Sequence, residues 1–264
     1  MKMYREISNH TVFVEGRPVR YQVVDTPGDR QGTSREAIVL VHGLSASSYW
    51  WTRNIAPLAQ HYRLYLIDLP GFGSMRQHRQ HFHLRQTASW LIQWMEKVEL
   101  TKAHFIGHSM GGFICAELAA RRPEVVGKLV LVAPAFMPPA RQVRHYLLPL
   151  CLGITHTSPA FWPILTYDAM RTGPLTLLNA ARQLMAQGDH EHISALSMPT
   201  LLVWGQHDTL VPAELGQLLI KEIPQAQLIV LARAGHVCMF EQAPLFNKHV
   251  LNFLHSGQAD EAMF

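Results

Sequence analysis

A serine stands at the centre of Gly107-His108-Ser109-Met110-Gly111-Gly112. The apolar run Ala103-His104-Phe105-Ile106 precedes it, and a helical pattern from Phe113 to Arg121 follows. Strand, sharp turn and helix in that order lift the serine out of a sheet and set it at a helix N-terminus, which suits a nucleophile. Glycines two residues before and two after Ser109 remove the Cβ atoms that so tight a turn would crowd. The turn's strain exposes the Ser109 hydroxyl above the carboxyl ends of the strands. The next amide, of Met110, is a donor at a helix start and can stabilise an oxyanion. A serine that merely caps the helix would satisfy the same six residues, so the rest of the constellation has to decide.

A nucleophilic serine needs a base, and the base needs an acid to orient it. Thr200-Leu201-Leu202-Val203-Trp204 reads as a buried strand and is followed by Gly205-Gln206-His207-Asp208. Leu228-Ile229-Val230-Leu231 reads as another, followed by Ala234-Gly235-His236. Taken singly, Asp208 is a turn aspartate and His236 is one of sixteen histidines. Taken together with Ser109, each lies just past its own strand, on the rim where ligands of parallel sheets bind. A second oxyanion donor is expected after Ala37-Ile38-Val39-Leu40-Val41, which ends in His42-Gly43-Leu44. We assign it to the Leu44 amide, paired with that of Met110, and read His42 as a structural histidine that holds the loop. Asp68 is read as ordering the Pro70-Gly71-Phe72-Gly73 loop.

The elements that must position these residues alternate along the chain. Thr11–Val14 and Val19–Val24 flank Glu15-Gly16-Arg17-Pro18 and read as a hairpin. Strands are expected at Ala37–Val41, Arg63–Ile67, Ala103–Ile106, Lys128–Val132, Thr200–Trp204 and Gln227–Leu231. Helices are expected near Ser48–Ala59, Leu84–Val98, Met110–Arg122, Ala213–Ile223 and Pro244–Leu254. Such alternation means an α/β fold, a mostly parallel sheet of about eight strands with helices on both faces. The alternation breaks from Pro134 to Ser197, where prolines and apolar helical segments carry no clear strand. The expected organisation is a core of residues 1–133 and 198–264 with a helical cap at 134–197. Phe136, Met137, Tyr146, Phe161, Trp162, Tyr167 and Val237 are candidates to line an apolar substrate pocket.

The chain has 264 residues, 48% hydrophobic and only 16% charged, which excludes disorder and suits one domain with an insertion. Its net charge of +4 is scattered and forms no stripe for nucleic acid. Met1-Lys2-Met3-Tyr4-Arg5-Glu6 has no apolar core of a signal peptide, and the longest apolar stretch, Tyr146 to Ile154, is far short of a membrane span. Three cysteines and no export signal imply reduced thiols and a cytoplasmic location. His78, His81 and His83, and His190 and His192, lack metal-ligand helical spacing, so no metal is expected.

These motifs resemble the α/β-hydrolase superfamily, in particular its carboxylesterase, C–C hydrolase and haloperoxidase-like branch. The pieces are His42-Gly43, Asp68-Leu69-Pro70-Gly71-Phe72-Gly73, the Ser109 turn, Gly205-Gln206-His207-Asp208 and Gly235-His236. The chain order Ser109, Asp208, His236 is that of this superfamily. The resemblance implies a serine nucleophile at Ser109, its base at His236, the acid at Asp208 and a cap after the sixth strand. Hydrolases of meta-cleavage products usually carry asparagine before the nucleophile and tryptophan after the histidine, where this chain has His108 and Val237, although Glu241 and Phe246-Asn247 resemble their C-terminal pattern. The expected activity is hydrolysis of small to medium, largely apolar carboxylic esters with no cofactor, by a monomer or homodimer. The alternatives are C–C bond hydrolysis, lactone opening or perhydrolysis on the same triad, or a low-turnover ligand sensor.

Overall fold

The computed structural model describes residues 6–25, 35–76, 83–136, 157–186 and 193–256. Eight strands form one sheet: β1 (Glu6–Val14), β2 (Arg17–Asp25), β3 (Ala37–Val41), β4 (Arg63–Ile67), β5 (Ala103–His108), β6 (Val126–Val132), β7 (Thr200–Gly205) and β8 (Ala226–Leu231). Their spatial order is β1-β2-β4-β3-β5-β6-β7-β8. The hairpin β1–β2 and the β2–β4 pair are antiparallel; from β4 to β8 every pair is parallel.

The central strands read as unbroken apolar runs because both faces are covered. Every residue of β3, β5 and β7 is buried. Alternate side chains feed two cores: Val39, Val41, Leu131 and Leu202 on one face, Ile38, Leu40, Val130, Leu201 and Val203 on the other. The first face is covered by α2 (Leu84–Lys97) and α3 (Met110–Arg121). On α2, Leu84, Thr87, Ala88, Leu91, Trp94 and Met95 recur at helical spacing and point inward. The second face is covered by α1 (Thr52–Leu58) and by α8 (Ala243–His255), which buries Phe246, Val250, Phe253 and Leu254. The short α6 (Glu214–Glu222) lies between β7 and β8, and α7 (Cys238–Glu241) follows His236.

The region expected as one helix, Ser48–Ala59, is a 3₁₀ turn over Ser48–Trp51 followed by α1. The tighter start is stabilised by the Trp50 N–H bonding to Ser47 O at 3.1 Å, an i→i−3 bond. Within α1, Pro57 has no N–H for the carbonyl of Arg53. The side-chain amide of Asn247 on α8 donates to that carbonyl instead, at 3.1 Å. Between β6 and β7, the described residues form a 3₁₀ turn at Pro159–Phe161, α4 (Trp162–Thr172), α5 (Pro174–Met185) and a second 3₁₀ turn at Ile193–Ala195. Among the described residues no helix is long and apolar enough to cross a membrane.

Candidate active site

Ser109 follows β5 directly with φ +52° and ψ −116°, a left-handed conformation that a serine adopts only under constraint. The constraint is visible at its flanking glycines. A Cβ on Gly107 would stand 2.5 Å from Gly111 O, and one on Gly111 would stand 2.4 Å from both His42 O and Val41 O. Strand β5, helix α3 and the end of β3 therefore approach more closely than any side chain allows. Backbone bonds lock the turn: Ser109 N donates to Val132 O at 2.8 Å, and Ser109 O accepts from Phe113 N at 3.1 Å and Ala135 N at 3.0 Å. Met110 is the first residue of α3, where an N–H has no intrahelical acceptor.

The loop after β3 runs against this turn. A Cβ on Gly43 would lie 3.1 Å from Ser109 Cβ and 2.9 Å from His108 Nδ1. Leu44 follows, half-buried against the core. His42 is fully buried, and both ring nitrogens are engaged: Nδ1 bonds to Gly43 O at 2.8 Å and Nε2 accepts from Leu69 N at 2.9 Å. Burial lowers its pKa despite nearby Asp68, so it stays neutral in a structural role. Asp68 accepts from Ser48 N at 2.8 Å and Ser74 N at 2.7 Å, joining the loops after β3 and β4.

Asp208 and His236 meet on the loops after β7 and β8. These loops are zipped together by Gln206 N to Leu231 O at 3.0 Å and His207 N to Ala234 O at 2.8 Å. Gly205 permits it, since a Cβ there would sit 2.1 Å from Gly235 O. Asp208 Oδ2 accepts from His236 Nδ1 at 2.8 Å, and Oδ1 accepts from the amides of Leu210 and Val211, each at 2.9 Å. The carboxylate has no exposed side-chain surface, and the imidazole is 12% exposed. Three donors thus fix the carboxylate in place, while the ring keeps one open edge.

His108, read from the sequence only as the residue before Ser109, connects the two halves. Its Nε2 donates to His236 O at 2.9 Å, and the rings lie 4.7 Å apart. Burial holds His108 well below the ordinary histidine pKa, with His236 adding to the effect. Glu241 accepts from Gly235 N at 2.5 Å and from Ser158 N at 3.3 Å, bracing the His236 loop and reaching residues beyond β6. Burial raises its pKa. In the sequence Glu241 stands out only through the resemblance of its C-terminal pattern; nothing local marks its link to Ser158.

The expected pocket residues separate in the structure. Phe136 is buried beside Phe113, with ring centroids 5.6 Å apart, and Val237 is buried next to His236. Phe161 has no exposed surface and is wedged between Trp50 and Phe240, both at 4.8 Å, so it packs the segment onto the core. Trp162 and Tyr167 are half-exposed on α4, and Tyr167 meets Tyr49 edge-on at 6.2 Å. Met137 and Tyr146 lie outside the described residues, as do His78, His81, His190 and His192. Cys115 and Cys238 are buried free thiols whose pKa values burial raises, an environment for packing and not for thiolate chemistry. Among the described residues no group of three or more His, Cys, Asp or Glu is placed to hold a metal.

A family model described as the alpha/beta hydrolase family matches residues 38–248. A 2-hydroxy-6-oxononadienedioate/2-hydroxy-6-oxononatrienedioate hydrolase of a Pseudomonas species is 29% identical over 252 residues, covering 84% of this chain and 89% of that protein. A pimeloyl-[acyl-carrier protein] methyl ester esterase of Aeromonas salmonicida is 28% identical over 247 residues, covering 82% and 94%. Among solved structures, a putative lipase from Acinetobacter baumannii superimposes with a TM-score of 0.79 at 20% identity, covering 96% of this chain and 93% of that one. That likeness speaks to the fold.

Proposed function

The chain belongs to the α/β-hydrolase family, and from that premise we propose that it is a serine hydrolase of carboxylic esters working through an acyl-enzyme. The observation that carries this reading is the 2.8 Å bond from His236 Nδ1 to a fully buried Asp208, on the same rim as the strained Ser109 turn. With Nδ1–H bound to the carboxylate, Nε2 is the basic nitrogen. It takes the Ser109 proton as Oγ attacks the ester carbonyl. The tetrahedral oxyanion receives the amides of Met110 and Leu44. The imidazolium then gives its proton to the leaving alcohol, and the acyl group stays on Ser109. Water, deprotonated by His236, attacks the acyl carbon, and collapse releases the acid and restores the serine. A neutral His108 beside His236 suits this cycle, since a fixed cation there would oppose the imidazolium.

We read the helices between β6 and β7 as part of a cap over the site; residues 137–156 and 187–192 of that expected cap lie outside the described residues. The apolar side chains around it, Phe136 and Val237 among them, favour small to medium apolar acyl or alcohol groups. The test is a p-nitrophenyl ester series from acetate to long chain, with wild type and Ser109→Ala. Turnover that the substitution abolishes supports the reading; esterase activity that survives Ser109→Ala overturns it.

A second reading is favoured by the Pseudomonas relative, named as acting on a 2-hydroxy-6-oxo-dienedioate. There the same Ser109 and His236 would hydrolyse a carbon–carbon bond next to a ketone. His108 and Val237 stand where hydrolases of meta-cleavage products usually have asparagine and tryptophan, which ranks this reading below the ester. Loss of the visible absorbance of a 2-hydroxy-6-oxo-dienoate, against ester turnover in parallel, separates the two.

A further inference from the structure

The loop after β3 is fastened from outside the core. Asp168 on α4 is only 2% exposed and is the one acidic residue between Glu124 and Asp189. A lone carboxylate buried in an apolar helix costs free energy unless donors meet it. Its Oδ2 accepts from Ser47 Oγ at 2.8 Å and from Trp50 Nε1 at 3.0 Å. Ser47 in turn organises the loop, accepting from Tyr49 N at Oγ and from Trp50 N at its carbonyl. The Trp50 ring lies 5.6 Å from that of His108, whose Nε2 holds the His236 carbonyl. A continuous buried path thus runs from α4 through Trp50 and His108 to the His236 loop, and through Ser47 to a point three residues from Leu44.

We propose that Asp168 is a positioning residue that pins the Leu44–Trp50 loop against Ser109, so that the Leu44 amide is aimed at the oxyanion only while α4 is seated. The proposal rests on the serine-hydrolase reading above. Asp168 touches no reacting atom; it acts through Ser47 and Trp50. A full oxyanion-hole donor is worth on the order of 10²–10³ in kcat, and a donor that is displaced but not deleted loses part of that. The effect belongs in kcat, because the oxyanion exists in the transition state and not in bound substrate.

The geometry also predicts which replacement rescues. Both donors fall on Oδ2, and Oδ1 has no hydrogen-bond partner among the described residues. Asparagine can place its oxygen at the Oδ2 position and its amide at the other, keeping both bonds. Asp168→Asn should therefore behave as wild type where Asp168→Ala does not.

The experiment measures kcat and KM on a p-nitrophenyl ester for wild type, Asp168→Asn, Asp168→Ala, Ser47→Ala and Trp50→Phe. Rates are normalised to sites titrated with a fluorophosphonate, and amide hydrogen exchange is followed for residues 43–50. Asp168→Ala is expected to lower kcat about 10- to 100-fold with KM within about threefold, and to speed exchange in 43–50. Asp168→Asn should stay within about threefold of wild type in kcat and match its exchange. Equal losses in the two Asp168 variants, or wild-type exchange in Asp168→Ala, overturn the proposal. If Asp168→Ala does not fold, Ser47→Ala and Trp50→Phe carry the test: each should lower kcat about 3- to 10-fold at unchanged KM, and an unchanged kcat overturns it. If wild type hydrolyses no ester, the functional reading fails separately, and exchange in 43–50 still decides whether Asp168 pins the loop.

Discussion

The loops bearing Asp208 and His236 touch through their backbones, closely enough that a methyl group on Gly205 would collide with Gly235 O. The helices between β6 and β7 are tied to the segments after β3 and β8 through side chains. There Phe161 fills a gap between Trp50 and Phe240, and Asp168 and the Glu241–Ser158 bond fasten the two ends. Outward, Met170 is 85% and Leu175 82% exposed. The first region is fixed by sterics that leave no room for a side chain at Gly205. The second is held by a few polar pins and leaves its other positions open to substitution. Asp208 and His236 are tied to the sheet by backbone, and the helices between β6 and β7 are attached by side chains.

Several substitutions sharpen or break this contrast. The largest effect is expected at Ser109→Ala, which should remove ester turnover by a factor on the order of 10⁴ or more while leaving thermal stability nearly unchanged. Asp208→Asn keeps the shape but offers His236 Nδ1 a competing donor; kcat should fall by about 10³–10⁴ with KM little altered. Near wild-type turnover there would remove Asp208 from the mechanism. Gly205→Ala should cost a few kcal/mol, because the overlap is with backbone that cannot swing aside, and melting curves should show it before activity is considered.

The buried histidines give a smaller, pH-dependent effect. Burial holds His42 and His108 below the ordinary histidine pKa. The unfolded chain therefore takes up their protons first as pH falls below about 6.5. Stability is complete above that value and declines below it, by at most about 1.4 kcal/mol per pH unit per residue. His108→Asn should flatten the fall of Tm between pH 7 and pH 5. Asp168 and Glu241, raised by burial, act with the opposite sign: their contribution is present in acid and is lost as pH rises through their folded values. Smallest of all, Met170→Ser and Leu175→Ser should shift stability by no more than about 0.5 kcal/mol. A larger loss would mean that the outer face of α4 and α5 is covered.

The sheet was legible because central parallel strands must be apolar on both faces: β3 and β4 coincide with their expected bounds, and β5 to β8 differ by at most two residues. The hairpin runs longer than its apolar alternation suggested, since pairing from Glu6↔Asp25 to Val14↔Arg17 is made by backbone and does not require apolar side chains. The 3₁₀ start before α1 was not legible, because it depends on Asp68 and Ser47 reaching the first turn. For the candidate site, glycine spacing and chain order brought Ser109, Asp208 and His236 to attention. His108, Trp50 and Asp168 were passed over, since nothing local marks a histidine, a tryptophan or an aspartate as a link between distant loops.

By itself the sequence determined what backbone crowding and burial dictate locally: which runs become central strands, where glycine alone fits, and that a serine, an aspartate and a histidine each follow a strand. Only the tertiary structure decided what depends on contacts between residues far apart in the chain. Ser47 and Asp168 are 121 positions apart and His108 and His236 are 128 apart, yet each pair shares a hydrogen bond. The physical reason is that a buried polar group needs a partner but does not specify its address. The address is set by the order in which strands enter the sheet and by the helices packed upon it.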